Sequence, residues 1–140
     1  MYKTHGYTSG VFDLFHIGHL NLLTAAAARC HYLTVAVASD ELAIELKGHP
    51  PAVPFSQRLE IVQSMRMVDA VVPQETLDKV AAWQELRFNV VFAGDNWRES
   101  PRWIQTEADL REIDVSVVYL PYTRTTASER LEAARLAQAD

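Results

Sequence analysis

The run Tyr32-Leu33-Thr34-Val35-Ala36-Val37-Ala38 carries apolar side chains at odd and even positions alike. A strand of that kind is typical of the centre of a parallel sheet, where helices cover both faces. The flanking sequence supplies such helices. Leu20, Leu22, Leu23, Ala26 and Ala27 recur with helical spacing before the run, and Ser39-Asp40 is a helix-start signal for residues 41–46 after it.

The alternation continues along the chain. Strands are expected at 7–12, 69–72 (closed by Pro73), 89–93 and 115–120, and helices at 56–67, 76–87 and 101–113, with a last helix from Thr126. Three prolines and a glycine make 47–54 a surface loop. The pattern predicts a single α/β domain over residues 1–140, a Rossmann-like parallel sheet with helices on both faces. Ligands then bind beyond the carboxyl ends of the strands.

One of those ends carries unusual chemistry. Asp13-Leu14-Phe15-His16-Ile17-Gly18-His19-Leu20 sits where the first strand turns into the first helix. A helix start offers unpaired N–H groups and the positive end of the helix dipole, and Gly18 removes a Cβ that would hold a phosphate off the backbone. Two imidazoles on that turn can donate ring N–H groups to phosphate oxygens and stabilise the charge that develops when phosphorus is attacked.

Composition narrows the partners. With 140 residues and 49% hydrophobic content, one domain can bury a real core without disulfides. The net charge of −5, without a Lys/Arg cluster, argues against nucleic acid as a partner. Cys30 is the only cysteine, so it forms no intrachain disulfide and no thiolate metal cluster; an inert thiol in a reducing cytoplasm is expected. The N-terminus lacks a signal-type apolar core, and the hydrophobic region 20–38 is interrupted by Asn21, Arg29 and His31, so neither export nor a membrane span is expected.

Taken in order, Gly10-Val11-Phe12-Asp13 with His16 to His19, Ser39-Asp40-Glu41, Arg58, Arg66-Met67-Val68-Asp69, Gly94-Asp95-Asn96-Trp97 and Tyr119-Leu120-Pro121 leading into Thr125-Thr126 resemble the cytidylyltransferase branch of the nucleotidyltransferase superfamily. The likeness covers nearly the whole chain and is nearest to the glycerol-3-phosphate type. It implies transfer of CMP from CTP to a small phosphate-bearing alcohol with release of pyrophosphate, by a homodimer using magnesium bound mainly through the triphosphate. Other acceptors (ethanolamine or choline phosphate, a sugar phosphate, a phosphonate, FMN) or another nucleoside triphosphate remain open, as does a nucleotide-binding module without catalysis.

The resemblance also implies roles. His16 and His19 bind the triphosphate and its transition state; Gly10, Val11, Phe12, Asp13 and Gly18 lie beneath the nucleotide; Lys47 reaches the acceptor phosphate and the α-phosphate; Arg66 binds triphosphate. Arg58, eight residues before Arg66 on the expected helix and so about 80° from it, can lean toward the same face. Arg58 and Lys79 are candidate acceptor contacts, against ion-pair and solvated-face readings. Gly94, Asp95, Asn96 and Trp97 adjoin the nucleotide. Asn96 stands where the family has a second acid, and it donates as well as accepts hydrogen bonds. The closing segment is shorter than the family's and lacks its glycine, leaving Arg124, Thr125 and Thr126 as nucleotide-binding candidates. Trp83 and Trp103 read as packing residues.

Overall fold

In the computed structural model, which describes residues 3–122, the two-faced run is the strand β2 (Tyr32–Ala38), and its alternation divides the core. Leu33, Val35 and Val37 join one buried cluster, and Ala36 joins another on the opposite face. Strand β4 (Val90–Gly94) repeats the division, with Val90 and Phe92 on the first face and Val91 and Ala93 on the second. Strands β1 (His5–Gly10), β3 (Ala70–Gln74) and β5 (Ser116–Leu120) complete one parallel sheet in the order β3-β2-β1-β4-β5.

Helices α1 (Ile17–Ala27) and α3 (Phe55–Gln63) cover the first face through Leu23, Ala26 and Val62. On the second face lie α4 (Lys79–Leu86) and α5 (Pro101–Arg111), through Val80, Trp83, Trp103 and Leu110. Helix α2 (Asp40–Lys47) packs Leu42 and Ala43 inward behind β2. The chain runs outward from β1 to β2 to β3, then returns to β4 on the other side of β1. A topological reversal of this kind leaves a crevice at the carboxyl ends of β1 and β4. No helix among the described residues is long and apolar enough to cross a membrane.

Several boundaries differ from those read off the sequence. Strand β1 starts two residues earlier, so Val11 and Phe12 fall in the turn beyond it. Pro73 lies within β3, opposite Val37; β3 is an edge strand, where a missing N–H is tolerated. Helix α4 begins at Lys79 because Thr76 and Asp78 favour local side-chain bonds: Thr76 Oγ1 accepts from the Asp78 N–H at 3.1 Å, and Asp78 Oδ1 accepts from Val80 and Ala81 at 3.0 and 3.1 Å. Helix α3 stops at Gln63, so the angular offset expected between Arg58 and Arg66 does not apply. The expected last helix, with Arg124, Thr125 and Thr126, lies outside the described residues.

Candidate active site

Past Gly10 the chain makes a tight passage into α1 in which Phe12 (φ 53°) and Leu14 (φ 49°) both adopt left-handed backbone. Bulky residues rarely do so, and such strain persists only where the surroundings hold it. Here the Phe12 ring is buried in the core, folded back close to Gly10. A side chain at residue 10 would press on that ring and push it a few tenths of an ångström, so the close approach favours glycine.

His16 is the N-cap of α1 and His19 its third residue, and they cap the helix reciprocally. His16 Nδ1 accepts from the Gly18 N–H at 3.0 Å, and His19 Nδ1 accepts from the His16 N–H at 3.1 Å. With each Nδ1 acting as acceptor, the ring N–H available to the cleft is on Nε2 in both residues. The rings stack at 4.0 Å between centroids, and Phe12 and Phe15 flank His19 at 5.5 and 5.2 Å. Burial, then the neighbouring charges of His16 and Lys47, lower the His19 pKa to about 3 against a partial opposing effect of Asp13. The ring is therefore a neutral donor at physiological pH. Gly18 serves this arrangement through its N–H, which donates to the His16 ring.

Both histidines line a cleft of about 750 Å³ at the carboxyl ends of the strands. Lys47, the last residue of α2, also lines it, held at the helix end by the left-handed cap Gly48 (φ 78°). The structure thus brings Lys47 into the same cleft as the two histidines, near enough for its charge to act on His19. Gly10, Val11, Phe12 and Asp13 line the cleft as well, with Gly94, Asn96, Trp97 and Lys79.

Two acidic side chains at the rim act as ties. Asp13 Oδ2 and Oδ1 accept from the N–H groups of Ala52 and Val53 at 2.8 and 2.9 Å, pinning the proline-rich segment after Lys47 to the histidine turn. Asp95 Oδ1 accepts from the Tyr122 N–H at 3.1 Å, which joins the end of β4 to the segment after β5. Neither tie could be read from local spacing.

The two arginines behave differently from expectation. Arg58 is fully buried, with Nε donating to Val53 O at 2.8 Å and Nη1 to Val11 O and Ala38 O at 2.8 and 2.7 Å. Its Nη2 pairs with Asp40 Oδ1 at 2.6 Å. The guanidinium thus joins the ends of β1 and β2 to the proline-rich segment from behind, and it does not face the cleft. Arg66 is exposed in the turn after α3, shortly before Asp69, whose Oδ2 accepts from the Leu33 N–H at 2.7 Å. That contact lies at the amino end of β2, opposite the cleft, so Arg66 is not brought to the histidines within this chain.

Residues 7–132 match a family model described as cytidylyltransferase-like. The chain belongs to the cytidylyltransferase-like family. Among relatives of this nucleotidyltransferase, an FAD synthase from Pyrococcus abyssi (strain GE5 / Orsay) is 32% identical over 114 residues, which are 81% of this chain and 77% of the relative. The bifunctional protein HldE from Granulibacter bethesdensis is 36% identical over 97 residues, 69% of this chain but 20% of that protein. A crystal structure of a lipopolysaccharide core biosynthesis protein from Thermoplasma volcanium GSS1 superposes with a TM-score of 0.72 at 19% identity, covering 89% of this chain and 99% of that one. At that identity the likeness concerns the fold.

Proposed function

We propose that this cytidylyltransferase-like chain is an FMN adenylyltransferase, transferring AMP from ATP to FMN to give FAD and pyrophosphate. The observation that carries this reading is the FAD synthase name of relatives that align along most of both chains. The cleft agrees: Leu22, Leu46, Leu77, Trp97 and Trp103 wall it beside the histidines. Apolar and aromatic walls with a few polar groups suit a flat ring system better than a three-carbon polyol. FMN and ATP therefore replace the glycerol 3-phosphate and CTP suggested by motif resemblance.

In this mechanism an FMN phosphate oxygen attacks the α-phosphorus of ATP, and the bond from that phosphorus to the β-bridging oxygen breaks. The nucleophile has a second pKa near ~6 and is already largely ionised, so positioning and charge stabilisation do the work. His16 and His19 donate Nε2–H to phosphate oxygens, which matters most when charge accumulates in the pentavalent state. Lys47 neutralises the approach of two anions. Asn96, beside Gly94 at the end of β4, offers both a donor and an acceptor to the base. No group of three or more His, Cys, Asp and Glu able to hold a metal occurs among the described residues. A divalent cation fits this donor set as a companion of the triphosphate, where it would neutralise charge on the pyrophosphate leaving group.

The test crosses ATP and CTP with FMN and glycerol 3-phosphate in the presence of magnesium. FAD and pyrophosphate are expected from ATP with FMN. A CDP-glycerol product from CTP, with no FAD, would overturn the assignment.

A further inference from the structure

Lys79 and Arg102 occupy the first turns of α4 and α5, on the sheet face opposite α1, and both line the cleft. Neither enters an ion pair among the described residues. Lys79 is only 7% exposed, and its Nζ lies 5.5 Å from the centre of the Trp103 ring, with no hydrogen bond among the described residues. A buried lysine without an anion is costly for a fold to keep. Its neighbour Asp78 offsets that cost only in part: its carboxylate caps α4 and makes no ion pair with Lys79 among the described residues.

Donors accumulate around it. Trp103 is 8% exposed, and its Nε1 is the buried side-chain polar atom left without a partner among the described residues. Ser100, the N-cap of α5, makes no side-chain cap bond, so the first N–H groups of that eleven-residue helix have no side-chain acceptor there. Arg102 lies 5.4 Å over the ring of Trp97, which is exposed at the cleft. Donors and positive charge on this wall are thus set beside flat indoles.

We infer that Lys79, Arg102 and Trp103 form the subsite for the electron-rich N1 and C2-carbonyl edge of the acceptor's flavin ring, while its phosphate reaches the histidines. The inference rests on the FMN reading and deepens it. The ring edge supplies acceptors for Lys79 and the Trp103 N–H, and the indoles supply apolar faces. Burial, then the charge of Arg102, lowers the Lys79 pKa to about 8 against the opposing charge of Asp78. The lysine is mainly protonated at neutral pH and becomes neutral as pH rises through 8.

The test compares the wild type with Lys79→Met, Lys79→Arg and Trp103→Phe, measuring FAD formation and the binding of FMN by its fluorescence. For Lys79→Met the FMN dissociation constant and KM should each rise tenfold or more, while the KM for ATP stays within twofold. Lys79→Arg should restore most of that loss and abolish the rise in wild-type FMN KM above pH 8. Trp103→Phe keeps the packing, removes the N–H and should raise the FMN KM severalfold; it decides the matter if Lys79→Met does not fold. FAD formed by the wild type with unchanged FMN binding in the variants overturns the subsite and leaves the activity standing. No FAD from the wild type overturns both.

Discussion

The imidazoles of His16 and His19 are stacked 4.0 Å apart, and each ring accepts a backbone N–H from the first turn of α1. Two charged rings at that distance would repel, and His19 is already held neutral by burial. The pair is thus suited to giving hydrogen bonds rather than to exchanging protons with substrate.

Alanine at either histidine should therefore lower kcat by about 10²–10³, the scale of losing one donor to a developing charge. ATP affinity should change far less, and helix capping adds a stability loss of about 1 kcal/mol. Single-turnover rates and calorimetric nucleotide binding separate these effects. Near-normal turnover in both variants would remove the histidines from the mechanism.

Acid should destabilise the fold through His19. Its folded pKa of about 3 lies below the unfolded value of 6.5, so the unfolded chain binds the extra proton between those limits. Stability is then fully present above pH 6.5 and is lost as pH falls toward 3, at no more than about 1.4 kcal/mol per pH unit for one proton. His5 is lowered by burial and adds in the same direction. Tm measured from pH 7.5 to 4 should fall less steeply in His19→Gln; equal slopes would contradict the burial effect.

Removing Arg58 should damage the scaffold before the chemistry. The Arg58→Met variant leaves the carbonyls of Val11, Ala38 and Val53 without this donor, a loss on the order of 3 kcal/mol. Urea denaturation should show a lower midpoint. A large rise in FMN or ATP KM at a temperature where the variant remains folded would instead return this arginine to the substrate.

Asp13→Ala should loosen the segment after Lys47, because two N–H groups lose their acceptor. Trypsin should cut after Lys47 faster, and kcat/KM should drop roughly tenfold as the lysine loses its fixed position. Asp13→Asn, which retains an acceptor oxygen, should recover part of both. Unchanged proteolysis in the alanine variant would show that the prolines alone fix the loop.

The fold was legible because β2 and β4 display their two-sided burial in consecutive letters, and the histidine motif marked the end of β1 by a helix-start pattern. Lys47 was pointed to by family resemblance and expected in the proline-rich loop, whereas it closes helix α2 at the cleft, because Gly48 lets that helix run one residue further. Arg58 was not legible, since its partners come from β1, β2 and a distant loop, and sequence spacing says nothing of such convergence. Arg66 was singled out by family resemblance alone, and only the direction of the sheet shows that it precedes β3 at the amino ends of the strands. Trp103 reads as core in any hydrophobic pattern; only the orphaned Nε1 and the neighbouring Lys79 distinguish it.

Because His16 and His19 themselves close the start of α1, the amide hydrogens of His16 and Gly18 are held by the same rings that line the cleft. Solvent exchange at those two amides is consequently a gauge of how the two rings are held. A ligand that draws the imidazoles outward breaks these bonds and speeds the exchange, whereas one that uses only Nε2 leaves them intact, so the opening helical turn distinguishes the two modes of engagement without any label on the substrate.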